Sequence, residues 1–288
     1  MEDVRVAAVM MSSVVGRTSD NLVKIETFVK KAASQGVQII CFPEASITGY
    51  SIQETIGAYA ESVPGPSSDV LISLSKSTGL TILCGLIEKD RGGNLFISHI
   101  VVSPEGLGDV YRKLHLAPHE DRIYTQGSVL PTYQRGNVAF GIELCYDTHF
   151  PELTTVLALR GIDILFLPYA SPQETSVEKR ERWLRYLPAR AYDNSIFVVA
   201  CNQVGCYEAG GEFPGVVLVL DPKGRIISEA CNDEEKIVVT DLKEASLAEV
   251  RKSEMGLFMN HRRPEIYSEI TFLQSTRKMY DSGALDYN

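Results

Sequence analysis

The chain has 288 residues, 44% of them hydrophobic, and a mean hydropathy of −0.02, enough apolar material for one large α/β domain or two small ones. A net charge of −9 and a pI near 5.2 argue against nucleic acid or an anionic membrane surface as partner. The 6 cysteines form no CxxC pair or zinc-like spacing, a usage that suits a reducing cytosol better than a disulfide framework. Cys41, Cys84 and Cys201 sit inside apolar runs and read as small core residues. The opening "MEDVRVAAVMMSS" is acidic, and its apolar run is too short for a signal peptide or a membrane span. No run of about eighteen apolar residues occurs elsewhere, so a soluble cytoplasmic protein is expected.

In chain order, "VRVAAVMM" (4–11) reads as a strand. In "TSDNLVKIETFVKKAASQG", Leu22, Ile25, Val29 and Ala32 recur at helical spacing, with Asp20 as a cap and Gly36 as a stop. "VQIICFP" (37–43) reads as a fully buried strand, "SSDVLISLSKSTG" as a helix and "LTILCGLIE" as a strand. A Gly-Gly turn at 92–93 and "SPEG" at 103–106 then divide three strand-like runs into a meander. The order repeats: strand "NVAFGIELCYD", helix "FPELTTVLALRG" with Pro151 in its first turn, strand "IDILFLP". A helix over 175–194 contains Pro188, which should kink or restart it. "SIFVVACN", "VVLVLD", "RIISEA" and "KIVVTD" supply further strands, with "DPKG" as a turn.

"IICFPEAS" (39–46) and "ILFLPYAS" (164–171) echo each other, each after a strand–helix unit. Two similar halves, each contributing a sheet, are the expectation, with Glu44 and Tyr169 at matching strand ends. Ligands of α/β sheets bind at the carboxyl ends of strands.

Three residues carry chemical potential. Cys145 stands where a strand meets a helix, a placement resembling a nucleophile elbow, where amide dipoles would favour its thiolate; an inert core cysteine is the alternative. Glu44 follows a buried strand and a proline among apolar or small neighbours, where a carboxylate has a raised pKa and makes a usable base, unless it is a solvated loop residue. In "VYRKLHLAPHE", strand alternation puts Tyr111, Lys113 and His115 on one face. A lysine on an edge strand usually discourages pairing between molecules; facing a pocket it would stabilise developing negative charge.

These segments, "FPE" with "GY", "YRKLHL", and "GIELCYDTHFPEL" followed by "RGIDILFLP", resemble the three signatures of the nitrilase superfamily of carbon–nitrogen hydrolases. "ARAYDNSIFVVACNQVG", "FPG", "DPKG" and "RRPEIY" extend the resemblance over about residues 4 to 268. It implies a four-layer α-β-β-α sandwich forming one domain over 1–268, with a tail over 269–288 at an oligomer interface. It implies Glu44 as general base, Lys113 as oxyanion-stabilising lysine, Cys145 as nucleophile, and Glu120 in "HEDRIYTQG" as the second glutamate that orients the lysine and the base. The implied chemistry needs no metal and no organic cofactor. A papain-like pairing of Cys145 with His149 is the competing reading; the position of His149 in "THFPEL" suits a pocket wall or a cap better.

The resemblance also bears on substrate. Cys-Tyr-Asp at the nucleophile, where true nitrilases usually carry Cys-Trp-Glu, favours an amidase or an N-carbamoyl amidohydrolase. The arginine pair that follows the cysteine in hydrolases of N-carbamoyl-D-amino acids is replaced here by Thr148 and His149. A neutral or amine-bearing substrate is therefore expected over a carboxylate-bearing one, with Arg185 the first candidate for a substitute clamp. Tyr50, Tyr146, His149 and Tyr169 are expected to line the pocket. A thiol acyltransferase on the same fold is the remaining alternative. The resemblance further implies a homodimer or larger homo-oligomer, to which Phe272, Leu273, Met279 and Tyr280 of the tail would offer apolar surface.

Overall fold

The computed structural model describes residues 1–207 and 210–272. Its first sheet collects β1 (Val4–Met10), β2 (Ile39–Cys41), β3 (Thr81–Lys89), β4 (Leu95–Ser103) and two short strands, β5 (Gly106–Leu107) and β6 (Tyr111–Arg112), both paired to β4. The second sheet takes β7 (Tyr133–Arg135), β8 (Val138–Ile142), β9 (Ile164–Tyr169) and β10 (Phe197–Asn202). After a small separate ribbon, β11 (Gly205–Cys206) with β12 (Glu212–Phe213), it is completed by β13 (Val216–Leu220) and β14 (Ile226–Cys231). β15 (Lys236–Leu242) returns to the first sheet and pairs antiparallel with β1, Val4 opposite Leu242. The division into halves is therefore incomplete: the last strand crosses over.

Both sheets share a centre of three parallel strands, β1-β2-β3 and β8-β9-β10, flanked by antiparallel partners. The two echo segments leave from β2 and β9, the middle strand of each triplet. Strands buried on both faces read as continuous apolar runs, which is why "VQIICFP" and "IDILFLP" show no alternation. Ile39, Cys41, Leu83, Phe140, Ile142, Phe166, Val199 and Cys201 point into the core between the sheets. The alternate residues of the first sheet, Val9, Ile40 and Ile82 among them, pack against Ile25, Val29, Leu71 and Leu74 of α1 (Thr18–Ser34) and α2 (Pro66–Thr78). Those of the second, Leu165, Leu167 and Val198, meet Leu157, Trp183, Leu187 and Ala191 of α3 (Pro151–Leu159), α4 (Ser176–Trp183) and α5 (Leu187–Asn194). The result is the four-layer α-β-β-α sandwich.

Some local expectations shift. Asp20 lies in the first turn of α1 rather than capping it, because the helix already begins at Thr18. Asn21 does the tying, its Nδ2 donating to Val14 O and Ile47 O at 2.9 Å each. Gly36 ends the helix with a φ of +72°, the left-handed conformation that favours glycine. The helix expected over 175–194 is two, and Pro188 opens the second from its first turn. Of the tail, Leu273, Met279, Tyr280 and the side chain of Phe272 lie outside the described residues.

Candidate active site

Strand β8 ends at Ile142, and the Glu143 N–H still donates to Phe166 O of β9 at 3.1 Å. Three residues past the strand, Cys145 adopts a φ of +45°, a left-handed backbone that costs a side-chain-bearing residue about 1–3 kcal/mol. The turn is over-determined. Asp147 N–H donates to Leu144 O at 2.9 Å, Leu144 N–H to Asp147 Oδ2 at 3.1 Å, and Thr148 Oγ1 to Cys145 O at 2.7 Å. A 3₁₀ turn (Cys145–His149) follows, and α3 begins only at Pro151. The dipole of α3 is thus farther from the thiol than the sequence suggests. Burial pushes the Cys145 thiol up to about 12, Glu44 adding to the rise and Lys113 opposing it. A thiol raised this far needs a base to take its proton as it attacks.

Glu44, Lys113 and Glu120 meet beside it with almost no surface between them, each at most 1% exposed. Lys113 Nζ donates to Glu44 Oε1 at 2.9 Å and to Glu120 Oε1 at 2.8 Å. Glu120 also accepts from Tyr50 Oη at 2.8 Å and from Ala117 N–H at 2.7 Å. Burial alone would raise Glu120, but the Lys113 charge and these hydrogen bonds hold it below the ordinary carboxylate range. Glu44 has fewer donors, and burial wins: its pKa rises to about 7, although the Lys113 charge pulls the other way. Burial would likewise lower Lys113, yet the two carboxylates keep it well above the ordinary lysine range. The cluster is therefore one fixed ammonium between a committed carboxylate and one poised near neutrality.

The loop carrying Glu120 is docked on the lysine strand by Gly127, whose N–H donates to Lys113 O at 2.8 Å. A Cβ at Gly127 would stand 2.2 Å from Arg112 O, so no other residue permits that approach. From the opposite sheet, Ala170 N–H donates to Glu44 Oε2 at 2.9 Å. The two echo segments thus touch through the carboxylate itself. Strand alternation holds at Tyr111 and Lys113, both buried, with Arg112 turned outward to Glu88 at 2.8 and 2.5 Å. His115, only half-buried, binds the same Asp147 carboxylate as Tyr111.

Asp147 is the residue sequence reasoning passed over. Fully buried, it accepts from Tyr111 Oη at 2.7 Å, His115 N–H at 2.7 Å and Leu144 N–H at 3.1 Å, with His115 Nδ1 3.0 Å away. One carboxylate clasps the residues on either side of Lys113 to the turn that holds Cys145. The signal was a charge two residues past the cysteine in an otherwise apolar setting.

Cys145 and Glu120 line a cavity of about 240 Å³ together with Tyr50, Tyr146, His149 and Tyr169, so the expected wall residues converge on one space. Tyr169 Oη donates to Thr148 Oγ1 at 2.9 Å, and its ring packs on Trp183 with centroids 4.4 Å apart. His149 is exposed at the mouth, its ring 5.0 Å from Tyr186 and 5.5 Å from Tyr146. Burial, then the charges of Arg182 and Arg190, keep His149 below the ordinary histidine range. The arginine in the cavity wall is Arg182; Arg185 is exposed.

A carbon–nitrogen hydrolase family model matches residues 5–252. The chain belongs to that family. Within this nitrilase superfamily it is similar to a nitrilase of Pyrococcus abyssi, 31% identical over 92% of this chain and 99% of the relative. It is also similar to the omega-amidase of Danio rerio, 30% identical over 87% of this chain and 91% of that one. Among solved structures, a mutant of the amidase from Nesterenkonia sp. AN1 in complex with butyramide superposes with a TM-score of 0.79 at 25% identity, over 94% of this chain and 97% of that one. No helix among the described residues is long and apolar enough to cross a membrane.

Proposed function

We propose that the protein is an amidase that hydrolyses a small amide through a thioester on Cys145. The observation that carries this reading is the Lys113 ammonium held between Glu44 and Glu120 beside a strained cysteine turn. A thiol at about 12 has to lose its proton as it attacks, and a carboxylate at about 7 is matched to take it near neutral pH. Sγ bonds to the amide carbon, Glu44 receives the thiol proton, and the oxyanion is met by Lys113 Nζ and the N–H of Tyr146. Collapse of the tetrahedral intermediate breaks the C–N bond, and Glu44 returns its proton to the leaving nitrogen. A water molecule, deprotonated by the same carboxylate, then attacks the thioester and restores the thiol. Glu120 and Tyr50 hold the ammonium in place. The cavity, below the ~300–1,000 Å³ of drug-sized sites, favours a compact substrate. The similarity to an amidase seen with butyramide and to an omega-amidase supports an amide substrate.

Intact-mass measurement on rapidly quenched protein after exposure to butyramide tests this. An acyl adduct located on Cys145, absent from Cys145→Ala, with ammonia and butyrate as products, is the expected result. Full turnover in Cys145→Ala would end the assignment. Carbon dioxide released from N-carbamoyl amines in preference to amide cleavage would move the reading to a carbamoyl amidohydrolase.

A further inference from the structure

Thr148 is fully buried, and both of its oxygens are engaged. Its carbonyl accepts from Arg190 of α5, from Nε at 3.3 Å and Nη2 at 2.9 Å. Its hydroxyl lies between Cys145 O at 2.7 Å and Tyr169 Oη at 2.9 Å. The Cys145 carbonyl can only accept, so the single Thr148 proton goes to it and the Tyr169 proton goes to Thr148. The hydroxyl of Tyr169, which sequence placed on the pocket wall, is therefore committed within the protein. The Tyr186 hydroxyl adjoins the same pair. The next residue along, Ala170, donates its N–H to Glu44 Oε2 at 2.9 Å. Consecutive residues at the end of β9 thus reach the nucleophile turn and the base.

Cys145 O belongs to the same peptide unit as the Tyr146 N–H. That unit is planar and trans, so its carbonyl and its N–H point in opposite directions. With the oxygen tied to Thr148, the N–H is aimed away from that hydroxyl, and among the described residues it donates to no protein acceptor. Tyr146 itself lines the cavity. A hydrogen bond accepted by a carbonyl also polarises its amide, which strengthens the N–H as a donor. We infer that Thr148, itself held by Tyr169, is a positioning residue for the oxyanion: it fixes the direction of the Tyr146 N–H and raises its donor strength without touching substrate. This rests on the amidase reading above. The bonds between Leu144 and Asp147 still hold the turn when the Thr148 hydroxyl is removed, so mutation can separate the oxyanion donor from the nucleophile.

The test sets two reactions of Cys145 against each other. Butyramide hydrolysis builds an oxyanion. Methylthiolation by methyl methanethiosulfonate builds none: Sγ bonds to the methylthio sulfur, methanesulfinate leaves and Glu44 takes the thiol proton. Thr148→Val, close in shape but without the hydroxyl, should lower kcat on butyramide by roughly 10- to 100-fold, less than the loss of a whole oxyanion donor, with little change in KM. Methylthiolation of Cys145, followed by peptide mass, should keep the wild-type rate. Thr148→Ser, which retains the hydroxyl, should recover most of the kcat. Tyr169→Phe should cost less than Thr148→Val, and the double variant should be no slower than Thr148→Val alone, because the two groups act in series. Equal losses in both reactions would mean that Thr148 merely holds the thiol, and would overturn the inference. So would an unchanged kcat in Thr148→Val, no recovery in Thr148→Ser, or losses that multiply in the double variant. If Thr148→Val does not fold, Tyr169→Phe decides: slower hydrolysis with wild-type methylthiolation supports the inference, and any other pattern refutes it. A wild-type protein whose Cys145 is methylthiolated but neither acylated by butyramide nor able to hydrolyse it would bring down the amidase reading, and this inference with it.

Discussion

Glu143 offers a measurement independent of any substrate. It lies two residues before Cys145 with 0% exposure, Oε1 accepting from Thr154 Oγ1 at 2.7 Å and Oε2 without a partner among the described residues. Burial raises its pKa from 4.5 to about 8; the Thr154 hydrogen bond and Arg190 oppose the rise, and the charge of Asp147 adds to it. Between those two values the folded protein keeps a proton that the unfolded chain has released. Its contribution to stability is therefore complete below about 4.5 and is lost as pH climbs to about 8. The slope is about 1.4 kcal/mol per pH unit for a group fully protonated in one state and ionised in the other. Glu143→Gln keeps the shape and the neutral hydrogen-bonding pattern but has no proton to lose. Equilibrium unfolding in urea, at one protein concentration, should show the variant gaining on the wild type by about 3 kcal/mol between pH ~5.5 and ~7.5. All other titrating groups are common to both proteins and cancel in the difference. A gap that does not change with pH would mean that Glu143 is ionised in the folded protein, and the argument from burial would be wrong.

Lys113→Ala should reduce kcat/KM on butyramide by ~10²–10³ or more, and equal values for variant and wild type would return the lysine to a purely structural role. The pH profile of kcat/KM should climb through about 7 to a plateau as Glu44 sheds its proton, since only the ionised carboxylate accepts the thiol proton. A profile flat across that region would exclude Glu44 as the base. In sedimentation the protein should run as a dimer or larger, because α3 and α5 expose Val156, Leu159 and Tyr192 on their outer faces. A monomer of 31.8 kDa at micromolar concentration would contradict this.

The sequence was most legible where one period dominates. Buried parallel strands appear as unbroken apolar runs, and the echo of "IICFPEAS" in "ILFLPYAS" signalled two similar halves, its strands β2 and β9 each lying mid-way in a parallel triplet. Glu44, Lys113 and Cys145 stood out as charged or reactive residues at strand ends among apolar neighbours, but only the resemblance to the three signatures selected them over inert readings. Asp147 escaped notice because two of its partners, Tyr111 and His115, reach it from the other sheet, and only Leu144 is local. Arg185 was favoured over Arg182 because the sequence showed one helix over 175–194, whereas α4 ends at Trp183, leaving Arg182 on the helix in the cavity wall and Arg185 beyond it. The thiol's raised pKa was also illegible: helix dipoles can be read from sequence, but the desolvation that outweighs them cannot.

The return of β15 to β1 has a consequence for how the molecule is made. The pairing of Val4 with Leu242 joins segments from nearly opposite ends of the described chain. During synthesis β1 keeps one open edge until residues 236–242 have left the ribosome, a long interval at ~5–20 residues per second. Contacts of such sequence separation slow folding, because the loop between them must close before the pairing gives anything back. The half-built sheet that carries Glu44 and Lys113 is then the species most open to strand exchange with a neighbour. Chaperone dependence and aggregation should track damage to this late pairing more closely than damage to the Glu44–Lys113–Glu120 cluster.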